Sequence, residues 1–253
     1  MLLRTEAKAE EWRRRGVQVA LGSLDDRAAV ERALEDVLGF YVLLPEDPGR
    51  SDFHEHRRRM ADAIGAAVGA ARVPHVVMLS ALSAELPHGN GPGRDLHYFE
   101  KVLREASRKL TILRACSFLE NVAMAFEPAR REGIYPSFFP GGVPFPSIAT
   151  RDIARFAASL LADPPHESEV IDLLGPTYSV QQMAQVLGRA FEHDVRVVEI
   201  PPEAHVETLA AAGLPRHFAE IVAELFACLA SGRIAPRGSR TLVGSTTLEE
   251  ILA

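Results

Sequence analysis

Residues 73–83 read VPHVVMLSALS and residues 96–114 read LHYFEKVLREASRKLTILR. Pro74 ends whatever precedes it. The run from His75 to Ser80 is then apolar almost without alternation, as expected of a strand buried on both faces. The second stretch passes from helix formers over Leu96 to Ala106 into another such run, Leu110 to Arg114. Strand, helix and strand in that order, with both strands continuous, read as one unit of a parallel sheet.

The unit repeats in both directions. Upstream, helix formers from Glu6 to Arg15 end at Gly16 and lead to Val17–Leu21. Asp25 or Asp26 can cap a helix over Ala28 to Leu34, and Gly39 then leads into Phe40–Leu44, stopped by Pro45. A third helix is predicted from Phe53 to Ala71. Val17–Leu21, Phe40–Leu44, His75–Ser80 and Leu110–Arg114 are therefore expected in one parallel sheet with helices on both faces. Ligands of such sheets lie outside the carboxyl ends of the strands. That rule points at Gly22 to Asp25, including Ser23, at Leu44, Pro45 and Glu46, at Ser80 to Ser83, and at Ala115 to Asn121.

After Pro128 the alternation breaks, and Phe138 to Pro146, rich in proline and glycine, is expected to be an irregular loop. The remainder predicts helix (Thr150–Leu161), strand (Glu169–Leu173), helix (Ser179–Phe191), strand (Val195–Ile200) and helices over Pro202–Ala212 and Pro215–Ser231. Residues 1–128 form the expected sheet domain. Residues 129–253 form mainly a substrate lobe, with elements returning to the sheet.

With 47% hydrophobic and 25% charged residues, the 253-residue chain suits a folded α/β domain. A net charge of -6 argues against a nucleic-acid partner or an anionic membrane surface. The basic runs Arg13–Arg15 and Arg57–Arg59 read as solvated helix faces. Cys116 and Cys228 are far apart with no CxxC spacing, so neither a disulfide framework nor a metal site is expected, and a reducing cytoplasm fits. The start has too short an apolar stretch for a signal peptide, and no run reaches the length of a membrane span.

Several stretches together resemble one family, the NmrA-like branch of the atypical short-chain dehydrogenases/reductases. GVQVALGSLDD from Gly16 is similar to that family's third strand and following turn, and LEDVLGFYVLL from Leu34 to its fourth. HVVMLSALSA from His75, EKVLREASRKLTILRACSFLEN from Glu100, SIATRDIARFAA from Ser147 and LLGPTYSVQQMAQVLGRAF from Leu173 follow in family order and spacing. The resemblance implies a Rossmann-like fold and an NADP(H) or NAD(H) cofactor. It also implies one departure. Met1 to Arg4 falls at the family's second strand, so the first strand and its glycine-rich phosphate turn have no counterpart, and the sheet is expected to be incomplete at its N-terminus. The start could lie too far downstream, or the sheet could close up or borrow a strand. GAAVGAA from Gly65 lies in a predicted helix and is not that turn.

The resemblance places Arg4 where the family often meets the 2′-phosphate of NADP, with Lys8 one helical turn on. Both are equally well read as solvated terminal residues. Ser80 falls where short-chain reductases place a serine on the substrate carbonyl, or is a strand-end cap. The usual tyrosine and lysine acid is missing, since Pro92 and Leu96 occupy those positions. His97 beside Lys101 could deliver a proton, or be an uninvolved helix histidine. Arg114, Cys116, Phe118 and Asn121 would shape the substrate pocket, Arg114 being equally readable as a structural tie. Cys116 has no histidine neighbour in sequence to make it a thiolate.

The implied function is an NAD(P)H-dependent reductase of small quinones or conjugated carbonyl compounds. The alternatives are a non-catalytic NADP-sensing regulator and an inactive truncated relative. The expected partner is a small-molecule substrate, and a homodimer is left open.

Overall fold

A computed structural model describes residues 1–253. The main sheet has five parallel strands: β3 (Phe40–Leu43), β4 (Val76–Ala81), β5 (Leu110–Ala115), β9 (Glu169–Leu174) and β12 (Arg240–Val243), in the order β12-β9-β5-β4-β3. Along β4 the side chains alternate between two cores. Val76 and Met78 pack against α3 (Phe53–Ala71) and α4 (Gly93–Ala106), whereas Val77 and Leu79 face α6 (Thr150–Ala162). Each apolar run is continuous because both faces are covered.

The remaining elements are β1 (Leu2–Leu3), α1 (Glu6–Arg14), β2 (Ala20–Leu21), α2 (Arg27–Ala33), β6 (Ser117–Phe118), α5 (Phe126–Glu132), β7 (Ile134–Ser137), β8 (Phe145–Ile148), β10 (Thr177–Tyr178), α7 (Val180–Phe191), β11 (Arg196–Glu199), α8 (His205–Ala211), α9 (Arg216–Ala230) and α10 (Leu248–Leu252). β10, β8 and β6 form a three-stranded sheet, and β11 pairs with β7.

One expectation is corrected here. The strand over Val17–Leu21 shrinks to Ala20–Leu21 and lies outside the main sheet, where it pairs only with β1 in a two-stranded parallel ribbon. No ladder joins β1 to β3. A strand with one two-residue neighbour has little to hold it extended, so the ladder stops after two pairs.

Two further corrections concern the later half. The irregular stretch after Phe138 ends sooner than expected, because Phe145 and Pro146 already belong to β8, whose Ser147 amide bonds the Pro176 carbonyl. The expected helix over Pro202–Ala212 begins as a single 3-10 turn, Pro202–Ala204, before α8.

GAAVGAA lies within α3. A Cβ on Gly65 would come within 2.3 Å of Val102 Cγ1, so the missing side chain sets how closely α3 and α4 pack. α9 lies over the carboxyl edge of the sheet: Phe218 packs on Phe53 with centroids 5.1 Å apart, His217 Nε2 lies 2.8 Å from the Arg50 carbonyl, and the Gly91 amide donates to Glu224. No helix is long and apolar enough to cross a membrane.

Candidate functional site

The carboxyl ends of β4 and β5 meet α4 in a buried charged knot. Ser80 Oγ donates to Glu100 Oε1 at 2.7 Å. The Arg114 guanidinium grips the same carboxylate through Nε (2.9 Å) and Nη2 (2.7 Å), and its Nη1 reaches Glu85 at 2.6 Å. Burial works against the Arg114 cation, but Glu100 and Glu85 outweigh it and raise its pKa. Ser80 and Arg114 are thus brought together, with the serine proton given to Glu100. Glu100 joins these groups, yet nothing in the sequence marks it beyond its place at the head of a family-like stretch.

His97 lies half-buried on α4, its Nδ1 2.8 Å from the Ala84 carbonyl. A carbonyl only accepts, so Nδ1 carries a hydrogen and Nε2 is the atom left to exchange a proton. Cys116 is buried and its thiol is pushed up to about 12 by burial, the behaviour of an inert packing residue. Phe118 faces an apolar cavity under α6, and Asn121 is exposed. Of these six residues, Phe118 alone lines the apolar cavity under α6.

A second cluster was not legible in the sequence. Arg57, expected on a solvated face, is 1% exposed. Helical periodicity turns it inward with Phe53 and Met60, between Asp95 (3.4 Å) and Glu46 (3.4 Å), while Arg58 and Arg59 stay outside. Asp95, fully buried, also holds His54 Nδ1 at 2.7 Å. Arg94 Nε lies 3.1 Å from the same nitrogen. One nitrogen cannot both donate to Asp95 and accept from Arg94. The shorter contact, to a carboxylate, assigns the hydrogen to Nδ1. His54 and Arg57, three residues apart on α3, were the available signal.

No three His, Cys, Asp or Glu side chains lie together as a metal site would require. For a dinucleotide, the carboxyl ends of β1, β2 and β3 present exposed Arg4 and Lys8, half-buried Ser23, buried Leu44 and exposed Pro45. Ser23 hydrogen-bonds Asp25 and holds that carboxyl below its usual range. Arg4 and Lys8 are exposed cations and Ser23 a hydroxyl, the groups that would hold the adenosine side of a nucleotide. They supply no cradle for its diphosphate. Gly22, the glycine at this edge, is closed by packing, since a Cβ there would meet Ala29 Cβ at 2.3 Å and Leu2 Cδ1 at 3.3 Å.

The family model described as NmrA-like family matches residues 2–247. The NAD(P)H azoreductase of Xenophilus azovorans is 30% identical over 228 residues, 89% of this chain and 77% of that protein. Among solved structures, an NADPH-dependent quinone oxidoreductase of Escherichia coli in complex with NADPH superposes with a TM-score of 0.80. It is 22% identical, and the match covers 99% of this chain and 88% of that one. The triphenylmethane reductase of Citrobacter sp., complexed with NADP(H), gives 0.77 at 20% identity over 93% and 82%.

Proposed function

The chain belongs to the NmrA-like family, and from that premise we propose that it is an NAD(P)H-dependent reductase of small quinones or conjugated carbonyl compounds. The observation that carries the reading is the 30% identity to an azoreductase along 89% of the chain. A reduced nicotinamide, when bound, supplies a hydride. The chain's own part is to place the acceptor and deliver a proton. His97 Nε2 holds that proton, the ring being fixed through Nδ1 by Ala84. Arg114, tied to Glu100 and Glu85, and Ser80 beside them, form the rigid floor on which Cys116, Phe118 and Asn121 follow. Arg4, Lys8, Ser23, Leu44 and Pro45 receive the adenosine side.

One observation favours a second reading, a non-catalytic NADP sensor: Pro92 and Leu96 stand where the tyrosine and lysine acid would be. Following loss of NADPH absorbance with a para-benzoquinone, alongside calorimetric titration of NADPH, tests both. Turnover, with a dissociation constant above about 1 μM because the diphosphate cradle is lacking, is the expected outcome. Tight binding without turnover of any such acceptor would move the assignment to the sensor.

A further inference from the structure

Arg94, the second residue of α4, is a half-buried cation that no acceptor in the chain satisfies. Its close polar contact is from Nε to His54 Nδ1 at 3.1 Å, and that nitrogen carries the hydrogen given to Asp95. Two donors therefore face each other, and neither accepts. Nη1 and Nη2 hydrogen-bond no protein oxygen, and no carboxylate pairs with the guanidinium. The other arginines that are not exposed each have such a partner: Arg50 holds Asp52, Arg57 lies between Asp95 and Glu46, and Arg114 holds Glu100 and Glu85. A partly desolvated charge without an acceptor is costly, and a carboxylate is the usual remedy.

The surroundings keep acceptors away from it. Asp95 is committed to His54 and lies beside Arg57, whose Nε and Nη1 are themselves buried without a hydrogen-bond partner. Glu224, which α9 brings to this edge, accepts from the Gly91 amide at 3.2 Å. Asp95 Oδ1 and Asn90 Oδ1 also lack partners, but both are sealed inside and neither bonds the Arg94 guanidinium. What is missing is an acceptor that arrives from outside.

Position says which molecule would bring it. α4 follows β4, so its first turn stands at the carboxyl edge of the main sheet. His97 comes three residues after Arg94, a spacing that makes the two neighbours on the helix surface, with Cβ atoms roughly 5–6 Å apart. Arg4, Lys8 and Ser23, on the adenosine side, belong instead to the β1-β2 ribbon. We propose that Arg94 is the seat of an oxyanion carried by the small-molecule ligand: a sulfonate, carboxylate or phosphate. The planar guanidinium fork matches two oxygens of such a group. On the reductase reading, on which this step rests, the ligand is the electron acceptor, and its reducible ring then lies beside His97 Nε2. The substrate class narrows from small quinones to anionic ones.

Ligands that cannot be reduced test the seat apart from any turnover. Naphthalene sulfonate and the uncharged naphthalene sulfonamide form a matched pair. Calorimetry should find the sulfonate bound at least about tenfold more tightly, the low end for hydrogen bonds to a charged group. Arg94→Gln should abolish that preference. Because the arginine gives up no protein acceptor, the variant should keep the parent's Tm, and its NADPH affinity should match the parent's. Turnover is read separately: the KM of a naphthoquinone sulfonate should lie below that of naphthoquinone in the parent, and rise at least about tenfold in R94Q. Equal binding of sulfonate and sulfonamide by the parent would overturn the proposal. So would a preference that survives in R94Q, or one lost together with NADPH affinity, which would give Arg94 to the cofactor's phosphates. A preference that depends on Arg94, with no turnover of any quinone, would support the seat and fail the reductase reading alone.

Discussion

Ser80 Oγ and Glu100 Oε1 lie 2.7 Å apart, and the carboxylate they share with Arg114 is 97% buried. The serine bond is one neutral donor on a charge that already has two bonds from Arg114 and a longer one, 3.4 Å, from Arg104. Its removal in Ser80→Ala should cost about 1 kcal/mol. Glu100→Ala strips Arg114 of its principal counter-ion in a site where the side chain is 11% exposed, and should cost roughly 3–5 kcal/mol. Urea unfolding of the two variants checks the ranking. Equal midpoints would mean that Glu85 alone can hold Arg114.

Gly65 and Val102 make the second test. Val102 is β-branched and cannot swing aside freely, so Gly65→Ala should destabilise by about 1–3 kcal/mol through overpacking, despite alanine's better helix propensity. Adding Val102→Ala should recover much of that loss. A thermal melt in which G65A alone is as stable as the parent would show that α3 and α4 can separate cheaply.

The contrast between these contacts and the strands explains what the sequence could show. The run His75–Ser80 announces its strand because burial on both faces leaves a continuous apolar signal. β1, two residues long, has no period to detect and is legible only through the family resemblance, which sets Met1 to Arg4 at a strand, while β12 was not foreseen. Arg57 reads as one of three surface arginines because its partners, Asp95 and Glu46, lie on other elements. Likewise, His54 and Asp95 are 41 residues apart and meet only when α3 and α4 pack. Ser80 and Arg114 could be singled out as strand ends, but the bond through Glu100 is a property of the packed helix.

His75 gives the pH dependence. It is buried, with Nε2 2.9 Å from Thr111 Oγ1, and burial, with Lys109 adding to it, lowers its pKa. The unfolded chain, with an ordinary histidine near about 6.5, therefore binds more protons than the folded chain just below that pH. Stability rises with pH in this window and is lost as pH falls from about 6.5 towards the folded pKa. His75→Gln, which cannot titrate, should flatten the fall in Tm between about pH 7 and 5. Parallel Tm curves for the variant and the parent would show that other groups set the slope.

His97 and Ala84 bear on the chemistry. The 2.8 Å contact from Nδ1 to the Ala84 carbonyl fixes the ring and leaves Nε2 as the exchanging atom. If that atom delivers the proton to a reduced quinone, His97→Ala should lower kcat by about a hundredfold, the low end for a general acid. It should also remove the limb of the pH profile that reports the imidazole. A purely structural histidine would lower stability and leave the profile's shape unchanged. His97→Gln separates the two roles, because an amide can still donate to Ala84 but cannot titrate. A glutamine variant with the parent's Tm and the alanine variant's flat profile would place the proton on His97. A glutamine variant with the parent's rate and profile would leave solvent as the donor, and would make the carbonyl contact the histidine's whole contribution.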